Sequence, residues 1–110
     1  MEMYDKKFNR KKIIYVLCDL DDLMQTRINC RFVKERGYLP VCPSLYSDVY
    51  TFDNCKNMED YNQLAYVLLA KSSEVWVFGT MAANMRHSLD CAFKRHLTIK
   101  FMENVREVEE

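Results

Sequence analysis

Residues 13–19 read Ile13-Ile14-Tyr15-Val16-Leu17-Cys18-Asp19, and the architecture can be built outward from them. Five successive apolar, β-favouring residues without alternation predict a strand buried on both faces. Strands of that kind belong to parallel sheets covered by helices on each side. Asp19 and Asp22 supply capping carboxylates where the run ends, so a helix is predicted to start there. Leu20, Leu23, Met24, Ile28 and Phe32 then recur at helical spacing, down to a stop at Gly37, a residue suited to the left-handed turn after a helix.

The same alternation of strand and helix continues along the chain. Tyr38-Leu39-Pro40-Val41-Cys42 forms a second short strand, and Pro40 places it at a sheet edge, where a missing donor is tolerated. Pro43 to Asn57 forms a long loop carrying Tyr46, Tyr50 and Phe52; such loops are uncommon in small domains unless they bind or cover something. Asn57 caps a second helix with Tyr61, Leu64, Ala65, Leu68 and Leu69 on its apolar face. Glu74-Val75-Trp76-Val77-Phe78 is the third strand, closed by Gly79. A third helix presents Met85, Leu89, Ala92, Phe93 and His96 on one face, and Leu97 to Phe101 is the fourth strand. The order β-α-β-α-β-α-β implies right-handed crossovers and an α/β, flavodoxin-like three-layer sandwich around a four-stranded parallel sheet of order 2-1-3-4. Residues 1–11 are expected to form a flexible N-terminal arm, 12–102 the domain, and 103–110 a fraying acidic tail.

Composition narrows the function classes. The chain has 110 residues, 49% of them hydrophobic, with 16 basic and 16 acidic side chains and a formal net charge of zero. That balance argues against a grip on duplex nucleic acid. No apolar run approaches the ~20 residues that span a bilayer, so no membrane partner is expected and the cytosol is the expected location. The five cysteines form no C-x-x-C pair, so reduced, mostly buried thiols are expected in place of a metal site. No cofactor signature is present.

Parallel sheets of this order bind ligands beyond the carboxyl ends of their strands, where strand order reverses. Cys18-Asp19, the segment Pro43 to Tyr46, and Gly79 to Met85 are therefore expected to converge on one crevice. There is no G-x-G-x-x-G and no P-loop lysine, and Asp19, Asp21 and Asp22 would repel a phosphate at the first helix. Capping and favourable charge at a helix start explain these carboxylates; the sharper role is Asp19 accepting from a ribose hydroxyl or a base amine. Backbone amides at Gly79 and Thr80 offer an anion site. The loop aromatics suit stacking on a nucleobase or pinning the loop to the core. His87 and His96 are the only histidines, and no Ser-His-Asp or Cys-His set can be assembled.

The segments Val75-Trp76-Val77-Phe78-Gly79 … Asn84-Met85 … Ala92 and Gly37 to Tyr46 resemble the small nucleoside 2-deoxyribosyltransferase-like proteins, many of them phage and bacterial domains of about this length. The resemblance covers Lys12 to Phe101. It implies a pocket for nucleoside-like molecules and a homodimer or higher homo-oligomer, because the transferases complete their pockets with a neighbouring subunit. It also exposes departures. The transferases attack the sugar with a helix glutamate, and the matching position here is Ser88. Met81-Ala82-Ala83 supplies no acid before that helix, Asn84 replaces a glycine, and Ser44 replaces a frequent histidine. Glycosyl transfer needs a carboxylate. The expectation is thus a non-catalytic binder of a nucleoside- or nucleotide-derived molecule, such as a phage sponge for a host nucleotide signal. Its binding residues would be Cys18, Asp19, Ser44, Leu45, Tyr46, Gly79, Thr80, Asn84, Met85 and Ser88. The alternatives are an N-glycosidic enzyme using Asp19, and a protein-interaction module with a vestigial pocket.

Overall fold

The structure, a computed structural model, describes residues 12–46 and 58–106. The expected arm, Tyr50, Phe52, the Asn57 cap, the Tyr61 side chain and residues 107–110 lie outside what is described. The elements are β1 (Ile13–Leu17), α1 (Leu23–Glu35), β2 (Leu39–Val41), a 3-10 turn (Pro43–Tyr46), α2 (Met58–Ala70), β3 (Glu74–Phe78), a second 3-10 turn (Ala83–Met85), α3 (Arg86–Lys94) and β4 (Thr98–Met102). All pairings are parallel and the sheet order is β2-β1-β3-β4. This is the flavodoxin-like α/β arrangement, with the order reversing between β1 and β3.

Period-two alternation sends the side chains of each central strand to two different cores. Ile14, Val16, Cys18, Trp76 and Phe78 face α1 and pack with Cys30, Val33 and Cys42. Tyr15, Leu17, Val75 and Val77 face the opposite side, under Leu68 and Leu69 of α2 and Leu89 and Ala92 of α3. Among the described residues, two helices cover this second face, and one helix, α1, lies on the first.

Three sequence expectations are corrected. The buried stripe of α1 is Thr26, Asn29, Cys30 and Val33, while Met24 is 69% exposed. The helix is rotated so that Thr26 and Asn29 reach partners: Thr26 Oγ1 donates to the Asp22 carbonyl at 3.0 Å, and Asn29 enters an amide network at the carboxyl edge of the sheet. His96 does not lie on a helix face. It stands past the end of α3 at φ 57°, exposed, in the position that Gly37, at φ 91°, occupies after α1. Both ends close with the same pair of bonds, Gly37 N to Lys34 O with Tyr38 N to Val33 O, and His96 N to Phe93 O with Leu97 N to Ala92 O. This double closure satisfies terminal carbonyls and requires a left-handed residue. Phe93, expected in the core, is 57% exposed.

The third correction concerns the tail. Residues 103–106 do not fray: Val105 packs against the α1-face core, and its backbone is hydrogen-bonded to α1 on both sides, through N–H and C=O.

Candidate functional site

The carboxyl edge of the sheet carries two polar junctions. The first joins the β1–α1 loop to the second 3-10 turn. Asp19 Oδ1 accepts from the Asp21 amide at 3.0 Å, a tight Asx turn, and from Asn84 Nδ2 at 3.0 Å. Asn84 Oδ1 accepts in return from Leu20 N at 3.4 Å. The Asn84 amide thus spans the switch point with a donor and an acceptor. Its hydrogen bond, followed by that of the Asp21 amide, holds the Asp19 carboxyl below its ordinary value, so the group is a carboxylate near neutral pH. Asp22 is used differently. Its Oδ1 accepts from Gln25 N at 3.1 Å and caps α1.

The second junction joins α1 to the segment after β4. Asn29 is fully buried, and a buried amide needs partners on both of its ends. Its Oδ1 accepts from Gln25 Nε2 and from Val105 N, both at 3.0 Å. Its Nδ2 donates to Asn104 Oδ1 at 3.1 Å. Gln25 Nε2 also donates to the Val105 carbonyl at 2.7 Å. Asn104 in turn lies against Gly79, so closely that a Cβ there would sit 2.6 Å from Asn104 Nδ2. With φ at 79°, glycine is required at this position both for backbone conformation and for space.

Beside this junction opens a cleft of about 730 Å³ lined by Gln25, Gly79, Thr80, Met102, Glu103, Asn104, Val105 and Arg106. Of the residues expected to bind a ligand, it takes in Gly79 and Thr80. The Gly79 amide is spent on the Met102 carbonyl at 2.8 Å, so it is not free for the anion role expected of it. Asp19 and Asn84 meet directly at the switch point. Ser44, half-buried, and Leu45 and Tyr46, 44% and 40% exposed, form the 3-10 turn after β2. Cys18 is buried, its Sγ 3.1 Å from Thr26 Oγ1, and burial pushes its thiol up. Met85 is fully buried in the core beneath α2 and α3, and its Sδ accepts from Ala82 N. Ser88 lies apart from the cleft, in a crease between α2 and α3 with His87 and Cys91. Among the described residues no side-chain hydrogen bond joins Ser88 to a base.

Gln25, Asn29, Asn104 and Arg106 do not stand out in the sequence. Asn29 carries a signal, since it stands three residues after Thr26 and four before Val33 on one helical stripe. Asn104 carries none, because its partner Asn29 is more than seventy positions away. Among the described residues no group of three or more His, Cys, Asp or Glu side chains is placed to hold a metal, and no helix is long and apolar enough to cross a membrane.

Comparison with known proteins adds a family without a function. No curated protein and no solved structure matches the chain at a significant level. The family model described as a domain of unknown function, DUF7768, matches residues 19–102, a span that opens at the switch-point carboxylate and closes at the end of β4. The chain belongs to the DUF7768 family.

Proposed function

We infer that the protein binds, without turning over, a nucleoside- or nucleotide-derived small molecule along the carboxyl edge of its sheet. The observation that carries this reading is the Asp19–Asn84 pair, a fixed carboxylate at the point where strand order reverses. One oxygen of Asp19 is occupied by Asn84 and Asp21, and the second is the acceptor a ribose diol would use. The neighbouring cleft adds amide groups from Gln25 and Asn104 and one cation, Arg106. Amides pair with the donor and acceptor edges of a base, and a guanidinium suits a phosphate. The resemblance to the nucleoside 2-deoxyribosyltransferase-like proteins supports the same ligand class.

The surroundings of Ser88 support the reading without turnover. It lines the α2–α3 crease and not the cleft, with no base hydrogen-bonded to it among the described residues. One competing reading is an N-glycosidic enzyme in which Asp19, ionised and positioned, attacks or stabilises the sugar; the other is a protein-interaction module with a vestigial pocket.

The test is native mass spectrometry of the full chain with a panel of nucleosides, nucleotides and cyclic dinucleotides, scoring retained ligand and released base. Retention of an intact ligand is expected. Asp19→Asn should weaken it by about tenfold, the effect of losing a hydrogen bond to a charged group, and Thr80→Trp should weaken it by filling the cleft. Release of base that disappears in Asp19→Asn would establish the enzyme. No retention of any compound would leave the edge as a surface for a protein partner.

A further inference from the structure

Cys30 on α1 and Cys42 at the end of β2 stand with their Sγ atoms 3.9 Å apart, both buried at 5% and 3% exposure. The two sulfurs are not equivalent. Cys42 directly precedes the first 3-10 turn, and its carbonyl accepts from Leu45 N at 3.2 Å; the hydrogen shared with Cys30 draws the Cys42 thiol below its ordinary value, against the effect of burial. The same shared hydrogen, together with burial, pushes Cys30 up. Cys42 is thus the easier of the two thiols to ionise. Cys18, nearby, has its own hydroxyl partner in Thr26, and Cys91 lies on α3 beside His87.

We propose that Cys30 and Cys42 are a redox dithiol that a small hydroperoxide converts into an intramolecular disulfide. The Cys42 thiolate attacks the peroxide; the O–O bond breaks, hydroxide leaves and takes up the proton released by Cys42, and Cys42 becomes a sulfenic acid. Cys30 then attacks that sulfur. Its S–H proton goes to the departing hydroxyl, which leaves as a second water, and the S–S bond forms. With hydrogen peroxide, each turnover consumes one peroxide and two thiols and yields one disulfide and two waters. The sulfurs must close by roughly 2 Å to reach bonding distance. Cys42 lies between β2 and the turn, so the closure falls on the connection between those two elements. Burial restricts the oxidant to a small molecule and keeps out a bulky disulfide. The bond ties α1 to the turn that carries Ser44, Leu45 and Tyr46, fixing one wall of the carboxyl edge.

The test treats the full, folded wild-type chain with hydrogen peroxide, alkylates the remaining thiols and maps the peptides without reduction. The expected result is a monomer whose free-thiol count falls from five by two, with one linked peptide joining Cys30 to Cys42 that dithiothreitol separates. Cys42→Ser should abolish the link, and Cys30→Ser should leave a dimedone-reactive sulfenic acid at Cys42. Alkylated Cys30 and Cys42 after exposure sufficient to oxidise Cys91, or a linkage between any other pair, would overturn the proposal. The wild-type map decides the matter even where a serine variant fails to fold.

Discussion

The two faces of the sheet solve the same problem by different means. Under α2 and α3, the buried cluster is built of hydrophobic side chains: Tyr15, Leu17, Leu69, Val75, Val77, Met85, Leu89 and Ala92 pack together. Under α1, a single helix is too narrow to cover four strands. Its shortfall is met by the segment after β4, which docks through Val105, and by an amide network centred on Asn29. The second face adds side-chain amide hydrogen bonds to an apolar core of its own. The sparsely covered face is where polar groups reach the sheet edge, and it is there that the cleft opens.

Six substitutions, one of them in a double variant, probe that contrast. Leu69→Ala, on the apolar face, should cost about 3 kcal/mol in denaturant unfolding, as truncation of a buried leucine does. It should leave the exchange of the Val105 amide unchanged relative to global unfolding. Asn29→Ala should cost about 2 kcal/mol, because it strips partners from Gln25, Asn104 and the Val105 amide at once. Unlike Leu69→Ala, it should accelerate exchange at Val105 well beyond the global effect; equal protection there would mean that Asn29 does not hold the segment. Gly79→Ala should cost about 1–2 kcal/mol through its left-handed backbone plus the collision with Asn104. The double variant with Asn104→Ala should recover the collision and not the backbone part, which a double-mutant cycle resolves.

The two smallest effects concern the ends of elements. His96→Gly should raise stability by up to about 1 kcal/mol, since glycine adopts φ 57° without the strain that a side chain brings; no gain in thermal unfolding would count against strain at this turn. Glu74 lies at the amino end of β3, where its carboxylate accepts from Trp76 Nε1 at 2.9 Å and pairs with Lys12 and Lys100, each at 3.3 Å. The Trp76 hydrogen bond, then the two lysines, hold its carboxyl low. A lowered carboxylate adds stability that is present above the ordinary glutamate value of about 4.3 and is lost as pH falls through the folded value. Glu74→Gln should therefore lower stability modestly at pH 7, leave it nearly unchanged below the folded value, and so flatten the acid limb of stability against pH.

Much of the architecture is legible in the sequence because it depends on local pattern. β3 spans Glu74–Phe78 as its apolar run predicts, β1 begins and ends with its own, and Gly37 closes α1. The edges are less legible. β2 is three residues long instead of five, and β4 is shifted one residue toward the carboxyl end. In both cases pairing with the neighbouring strand sets the limits, and pairing is not written in either segment alone. At the site, Asp19 and Asn84 both stand out in the sequence, while their direct bond across 65 positions does not. Met85 and Cys18 flank strand and turn ends, which marks them as binding positions in the sequence, yet their apolar bodies are buried.

The alternation of strands and helices, the parallel sheet and its order are written in the chain itself, because apolar runs, helical spacing and turn residues act over a few positions. Folding was needed to settle which stripe of α1 is buried, that Asn104 closes over Gly79, and that Cys30 meets Cys42. Those contacts bring together side chains distant in the chain, and their energy depends on burial and on completed hydrogen bonds, which exist only once the sheet has formed.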